Sequence, residues 1–202
     1  MKIFNVQTYG IAESLIRAGY PMQTVINDRM DIPIASYGLT APMLSRGIKL
    51  GNADSGHSNF LKGIIVQADF EASQYWWLQA QRYQFFTLIS SQSKMHKITE
   101  MNLSDLLYSG VCSTTLETAK GFIQLYKEGK CDFEDVLNNI PMGLEYSAGV
   151  STNYMCLKNM YNQRKNHRLV MWNKIFVEFC EALPLFKEFC LGGNNNDRCS
   201  RQ

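Results

Sequence analysis

The sequence predicts one domain of mixed helix and strand, an α/β (α+β) fold, and three observations carry that prediction. The segment Gly63 to Phe70, GIIVQADF, is rich in β-branched and aromatic residues and reads as the best strand. From Ser113 to Glu128 the apolar residues Leu116, Ala119, Phe122, Ile123 and Tyr126 recur with a period of 3.6, the spacing of one helical face. With 202 residues, 46% of them hydrophobic and 19% charged, the chain can build one ordinary core and is too short for two. The domain is placed at residues 1–190.

In chain order, residues 2 to 7 read as a first strand, and Ile11, Leu15 and Ile16 give helical spacing over Ile11 to Ala18, stopped by Gly19. Asp31 to Tyr37 is a weaker strand, broken by Pro33. After Gly63 to Phe70, Ser73 stands at the N-cap position of a helix carrying Tyr75, Trp76 and Trp77, with Arg82 near its end. The Ser113 to Glu128 helix takes Ser113 or Thr114 as cap and Gly129 as stop. Asp132 can cap a short helix with Asp135 three residues on, and Pro141-Met142-Gly143 breaks the chain again. Helices are then predicted over Thr152 to Asn166 and His167 to Leu183, with Pro184 ending or kinking the second. Residues 191–202 have nothing to bury and read as a flexible polar tail.

Composition narrows the function classes. Twenty Lys+Arg against 18 Asp+Glu give a net charge of +2 without a basic block, so no nucleic-acid stripe is indicated, while a small anionic ligand fits. The six cysteines contain no C-x-x-C pair, and reduced, mostly buried thiols in a cytoplasmic protein are the simplest account. No window approaches 18 apolar residues and the N-terminus lacks a signal-peptide core, so neither secretion nor a membrane span is expected. His57, His96 and His167 lack metal-ligand spacing, and no metal is predicted.

The stretch Gln79 to His96 is the densest in chemistry. Gln79, Gln81, Arg82 and Gln84 bring donors beside aromatic surface, which suits a planar, hydrogen-bonding ligand such as a base or a flavin; an amphipathic helix with its glutamines in water is the equal alternative. Ser90, Ser91 and Ser93 lack the Gly-x-Ser-x-Gly elbow and the Ser/His/Asp order of a serine nucleophile. Farther on, a continuous helix would place Asn153 and Arg164 on one stripe with Leu157 and Met160, and polar ends on such a stripe need either a ligand or an internal salt bridge. Asn159 would lie about 120° away on that helix, serving another wall or merely water.

In order along the chain, His57-Ser58-Asn59-Phe60, the strand at Gly63, Gln79 three before Arg82, Thr87, Ile140-Pro141, Asn153, Asn159 and Arg164 keep one register, with Trp172 beyond. This arrangement resembles the flavin-dependent thymidylate synthases over roughly residues 55 to 185. The resemblance implies a small central, mostly antiparallel sheet flanked by helices, and a homotetramer with each site built at subunit interfaces. It implies FAD as cofactor, with NADPH and methylenetetrahydrofolate as co-substrates, and transfer of a methylene group through reduced flavin to dUMP. By the same resemblance Arg164 and Gln79 are the catalytic candidates. His57, Ser58, Arg82, Tyr83, Gln84, Asn153 and Asn159 would touch the cofactor, and Gln79, Arg82, Ser91, Ser93, Lys94 and Arg164 the nucleotide.

The departures are specific. Arg82-Tyr83-Gln84 stands where the family has Arg-His-Arg, Ile89-Ser90 replaces its Asn-Glu pair, Gln92 its Ser, and Leu137 an Arg. Lys94 keeps a cation at the family's final Arg position, a point charge in place of a planar fork. Residue by residue, bland readings also stand: Arg82 as a helix C-terminal cation, His57 as an exposed turn residue. Two other functions fit the chain: a nucleotide-binding or regulatory relative that has lost catalysis, and a helical interaction domain whose tryptophans only fill the core.

Overall fold

A computed structural model describes residues 1–24, 38–53, 56–106 and 110–192. The strand expected at Asp31 to Tyr37 and residues 193–202 of the expected tail lie outside the described residues. The elements are β1 (Lys2–Tyr9), α1 (Ile11–Arg17), α2 (Ala41–Gly51), a 3-10 segment (Gly56–Gly63), β2 (Ile65–Ser73), α3 (Gln74–Ala80) and β3 (Thr87–Ser91). They continue with α4 (Lys94–Lys97), α5 (Leu103–Leu106), α6 (Ser113–Lys127), α7 (Phe133–Asn138), β4 (Glu145–Asn153) and α8 (Tyr154–Arg164). A π-helical stretch (Met171–Phe176), α9 (Val177–Ala182) and α10 (Phe186–Cys190) complete the described chain.

The four strands form one antiparallel sheet in the order β1-β2-β4-β3. The Tyr154 amide donates to the Ile64 carbonyl and the Gln74 amide to the Leu144 carbonyl, both at 3.0 Å. The two pairs share one offset, which sets Phe70 opposite Ala148. Alternation then sorts the faces, since successive strand residues point to opposite sides. Val66, Ala68, Phe70 and Ala72 of β2 and Ala148 and Val150 of β4 are buried. The other side carries polar pairs: Asn5 Nδ2 donates to Asp69 at 2.6 Å and Lys2 Nζ to Glu71 at 2.7 Å. Asn5 sits in the left-handed region, φ 52°, which asparagine tolerates better than most residues.

The chain divides into two compact units, and β1, β2 and β4 each pass from one to the other. The first comprises Met1–Asn5 and Ala68–Val150. Here Trp76, fully buried, stacks on Phe70 at 5.8 Å between ring centroids and meets Trp77 edge-on at 5.1 Å. A second cluster gathers Ile98, Leu103, Ala119, Ile123, Val136 and Leu144, with Leu137 packed against it. The face predicted for α6 is therefore the buried one at Ala119 and Ile123, whereas Tyr126 lies nearer water. Its N-cap is Cys112 rather than Ser113 or Thr114, and Gly129 takes φ 70° after its end. Asp132 and Asp135 form the expected capping box of α7.

The second unit comprises Val6–Gln67 and Ser151–Gln202. Leu15, Leu61, Ile64, Tyr154, Leu157, Met160, Trp172, Phe176, Cys180, Phe186 and Phe189 are among its fully buried side chains. Gly10 has φ 78°, and a Cβ there would stand 2.6 Å from the Gly63 carbonyl oxygen, so only glycine fits this close approach. The long helix predicted over His167 to Leu183 is instead a π-helical stretch followed by α9; Leu183 turns extended, Pro184 follows, and Leu185 adopts φ 59° before α10.

Burial in this unit holds four acidic groups in their neutral forms. It pushes the Cys190 thiol up to about 12, and Tyr161, which also donates to Glu181 at 2.7 Å, to about 12; Tyr154 and Cys180 move in the same direction. An unfolded chain ionises these groups near their ordinary values of 9.0 and 10.0. A raised folded-state value gives stability that is complete below the unfolded pKa and is lost as pH climbs through the folded one. The urea midpoint, measured under reductant, is thus expected to stay level to about pH 9 and to fall between about 9 and 12, with a shallower fall in Tyr161→Phe. A level midpoint at about pH 11 would refute this.

Candidate functional site

Seven of the predicted site residues fall in the first unit. Trp76 and Trp77 turn inward from α3, leaving Gln79 half-buried. The helix stops at Ala80, so Arg82 lies past its end in a turn, closed by the Tyr83 amide on the Ala80 carbonyl at 3.1 Å and the Phe86 amide on the Tyr83 carbonyl at 3.0 Å. Phe86 is buried and anchors that turn, so Arg82, Tyr83 and Gln84 come one after another, with Arg82 and Gln84 exposed and Tyr83 half-buried.

Ser91 ends β3. Gln92 then clasps β4 twice: its amide donates to the Ser147 carbonyl, and its side-chain oxygen accepts from the Ser147 amide, both at 2.9 Å. Ser93 caps α4, accepting from the His96 amide at 3.3 Å, with its hydroxyl 2.8 Å from His96 Nδ1. Lys94 Nζ donates to Gln74 Oε1 at 2.6 Å and lies 6.0 Å from the centroid of the Tyr146 ring. Burial lowers the Lys94 pKa, because the charged form loses water. Among the described residues no carboxylate pairs with Lys94. The sequence reading missed Gln74 and Tyr146; only the pairing of β4 beside β2 brings Tyr146 to this place.

The other five belong to the second unit. His57 and Ser58 fall in the 3-10 segment, His57 exposed and Ser58 buried. Asn153 is not part of a helical stripe, as a continuous helix from Thr152 required. It closes β4 and caps α8, its Oδ1 accepting from the Cys156 amide at 2.9 Å. That bond answers one of the open donors at the helix start, so the residue type is explained by capping alone. Asn159 projects from α8 and is exposed.

Arg164 ends α8, and its guanidinium carbon sits 4.6 Å from the centroid of the Trp172 ring, a cation–π distance. The His167 amide donates to the Arg164 carbonyl at 2.9 Å, and the His167 ring, 6.5 Å from Trp172, accepts from the Leu169 amide. Burial, then the charges of Arg164 and Arg168, hold the His167 pKa below its ordinary value. Trp172 itself lies in the π-helical stretch, a rare local geometry that recurs at functional sites.

Each unit carries its own donors: the second a guanidinium on an indole, which suits an anion, and the first a half-buried ammonium without a carboxylate and amide and phenol side chains around one turn. Among the described residues no group of three His, Cys, Asp or Glu is placed to hold a metal, and no helix is long and apolar enough to cross a membrane.

No family model and no curated protein matches this chain. Solved structures do. Flavin-dependent thymidylate synthase ThyX from Helicobacter pylori, complexed with FAD and dUMP, aligns with a TM-score of 0.74 at 13% identity, over 94% of this chain and 97% of that one. A second structure of the same enzyme with FAD and dUMP gives 0.74 at 12% identity, over 94% and 96%. Through nearly its whole described length this chain has the fold of the flavin-dependent thymidylate synthases.

Proposed function

We propose that the chain binds FAD and a dUMP-like nucleotide and acts as a divergent flavin-dependent thymidylate synthase, moving a methylene group from methylenetetrahydrofolate to dUMP with NADPH as reductant. The observation that carries this reading is the whole-length likeness to an enzyme complexed with FAD and dUMP; the spacing of Gln79, Arg82, Asn153 and Arg164 along the sequence supports it separately. FAD, once reduced by NADPH, would pass on the electrons and relay the one-carbon unit, so that no protein nucleophile would be required.

The residues of the chain bind and orient. Arg164 offers a planar fork to a phosphate or a uracil oxygen, and the Trp172 ring supports that fork at 4.6 Å. Gln79 can donate and accept at a pyrimidine edge, and Arg82, exposed past α3, adds positive charge beside it. Tyr83 presents a ring for stacking on a flavin edge, with Gln84 beside it as a neutral donor. Ser91, Ser93 and Lys94 follow as hydroxyl and ammonium donors for the nucleotide, and His57 and Ser58 for the cofactor. A homotetramer with shared sites in a cytoplasmic protein completes the reading.

A second reading, nucleotide binding without thymidylate synthesis, is favoured by two observations. Leu137 packs against the apolar cluster of the first unit and brings no charge to any ligand, and Gln84 is neutral where the resembled signature has arginine. The visible spectrum of purified protein separates the readings. Flavin bands that survive desalting and shift with dUMP support the enzyme; colourless protein that still binds dUMP supports the second. Arg164→Ala is expected to weaken dUMP binding by roughly 10- to 100-fold, the loss of a charge-assisted hydrogen bond. Unchanged dUMP affinity in that variant would remove Arg164 from the site.

A further inference from the structure

We propose that Gln74 and Tyr146 are positioning residues that hold the Lys94 ammonium uncompensated, ready for the dianionic head of a phosphate monoester. The inference rests on the reading that this chain takes a nucleotide, and it adds two residues to that site. Both partners of Lys94 are neutral: the amide oxygen of Gln74 at 2.6 Å and the face of the Tyr146 ring, 6.0 Å to its centroid. Elsewhere Lys2, Lys97, Lys130 and Lys187 each find a carboxylate, while Lys120, Lys158 and Lys165 donate to a hydroxyl, a backbone carbonyl and an amide oxygen; Lys94 alone of these adds an aromatic face to its neutral oxygen. Lys94 is half-buried without a carboxylate. An ammonium has three donors, and Gln74 occupies one. The ring attracts the charge without accepting a full hydrogen bond, so capacity for an anion is left over.

The supports are themselves fixed. Gln74 is the first residue of α3, and its amide is tied to the Leu144 carbonyl at 3.0 Å. The Tyr146 ring stacks on Trp77 at 5.6 Å and 25°, and the Trp77 indole N–H donates to the Tyr146 carbonyl at 3.3 Å. The Gln92 clasp on Ser147 holds the chain entering Lys94 to the same strand. A cation preorganised in this way gains more from a doubly charged phosphate than from a singly charged diester, because Coulomb attraction scales with the charge of the ligand. Burial that lowers the Lys94 pKa marks the same imbalance, which an arriving anion reverses.

Gln74→Glu tests this, because a carboxylate in place of the amide would neutralise Lys94. An acidic side chain at the first helical position is favourable, so the variant is expected to fold. NMR of the full chain with isotope-labelled, unmodified lysine (¹³Cε) reads Lys94, its resonance assigned by its absence in Lys94→Arg. In the wild type that resonance is expected to titrate below the surface lysines and to move with inorganic phosphate and with dUMP. Gln74→Glu is expected to raise the titration and weaken dUMP about tenfold, and Tyr146→Leu to weaken it about threefold, with FAD affinity unchanged in both. Wild-type Lys94 titrating with the surface lysines, or Gln74→Glu binding dUMP and phosphate as the wild type does, overturns the proposal. A Lys94 resonance that moves with FAD and not with dUMP overturns the monoester assignment. If the wild type takes up neither dUMP nor FAD, the thymidylate reading falls, and the response of Lys94 to inorganic phosphate still decides the role of Gln74.

Discussion

Trp76→Ala is expected to cost about 3–5 kcal/mol of folding stability, a large share of the roughly 5–15 kcal/mol that holds a domain together. The indole has no exposure. It stacks on Phe70 at 5.8 Å, meets Trp77 edge-on at 5.1 Å and Phe86 at 6.0 Å, so three other rings lose their neighbour at once. Close-packed rings relax little around a hole, which places this truncation at the upper end of its class. Urea unfolding followed by near-UV circular dichroism gives the cost directly, with Leu78→Ala, half-exposed on the same helix, as the control. A cost below about 1 kcal/mol would mean that the aromatic cluster is not a core.

The second large effect is expected at Trp172. Alanine there removes a fully buried ring packed at 5.1 Å on Phe176 and should cost a further 3–5 kcal/mol or so. It also removes the surface on which the Arg164 guanidinium lies at 4.6 Å. With that support lost, the ligand must do more of the ordering of the side chain, and a half-buried cation–π contact is worth about 1–2 kcal/mol, or some 5- to 30-fold in affinity. Trp172→Phe keeps a ring in place and should recover much of both losses. Calorimetry with dUMP, run well below the unfolding temperature of each variant, separates the two. If Trp172→Ala loses stability while its dUMP affinity stays at the wild-type value, Trp172 fills space and does nothing for Arg164.

What the sequence made legible were the parts with strong local patterning. Gly63 to Phe70 and the α6 face are apolar at regular intervals, and the stops at Gly129 and Pro141 need only local backbone chemistry. What stayed hidden depends on partners far along the chain. β4, EYSAGVSTN, buries only small or modest side chains at Ala148, Val150 and Thr152, and its polar alternate residues look like a loop until Asp69 and Glu71 of β2 are set beside them. α2 is masked by two glycines, Gly47 and Gly51, which the fold needs because a Cβ at either would run into Phe189. Asn153 misled for a related reason: a strand-ending cap and a stripe-bearing helical residue are the same letter at the same spacing. The Gln74 and Tyr146 support of Lys94 was out of reach altogether, since spacing along one segment does not reveal the strand that will lie against it.

The strand order has a consequence for how the molecule forms. In β1-β2-β4-β3, Lys2 must find Glu71 across 69 positions, and the N-terminal amine must find Glu145 across 144. During synthesis β1 leaves the ribosome long before β2, and β2 long before the β4 strand it faces, so the central ladder closes only when most of the chain exists. Closing such long loops carries its entropy cost before any pairing repays it, and chains of this kind fold slowly. The helices α6 and α7 are complete while β2, even when paired with β1, still lacks β4 on its other edge, a partly built state in which that edge is open to other chains.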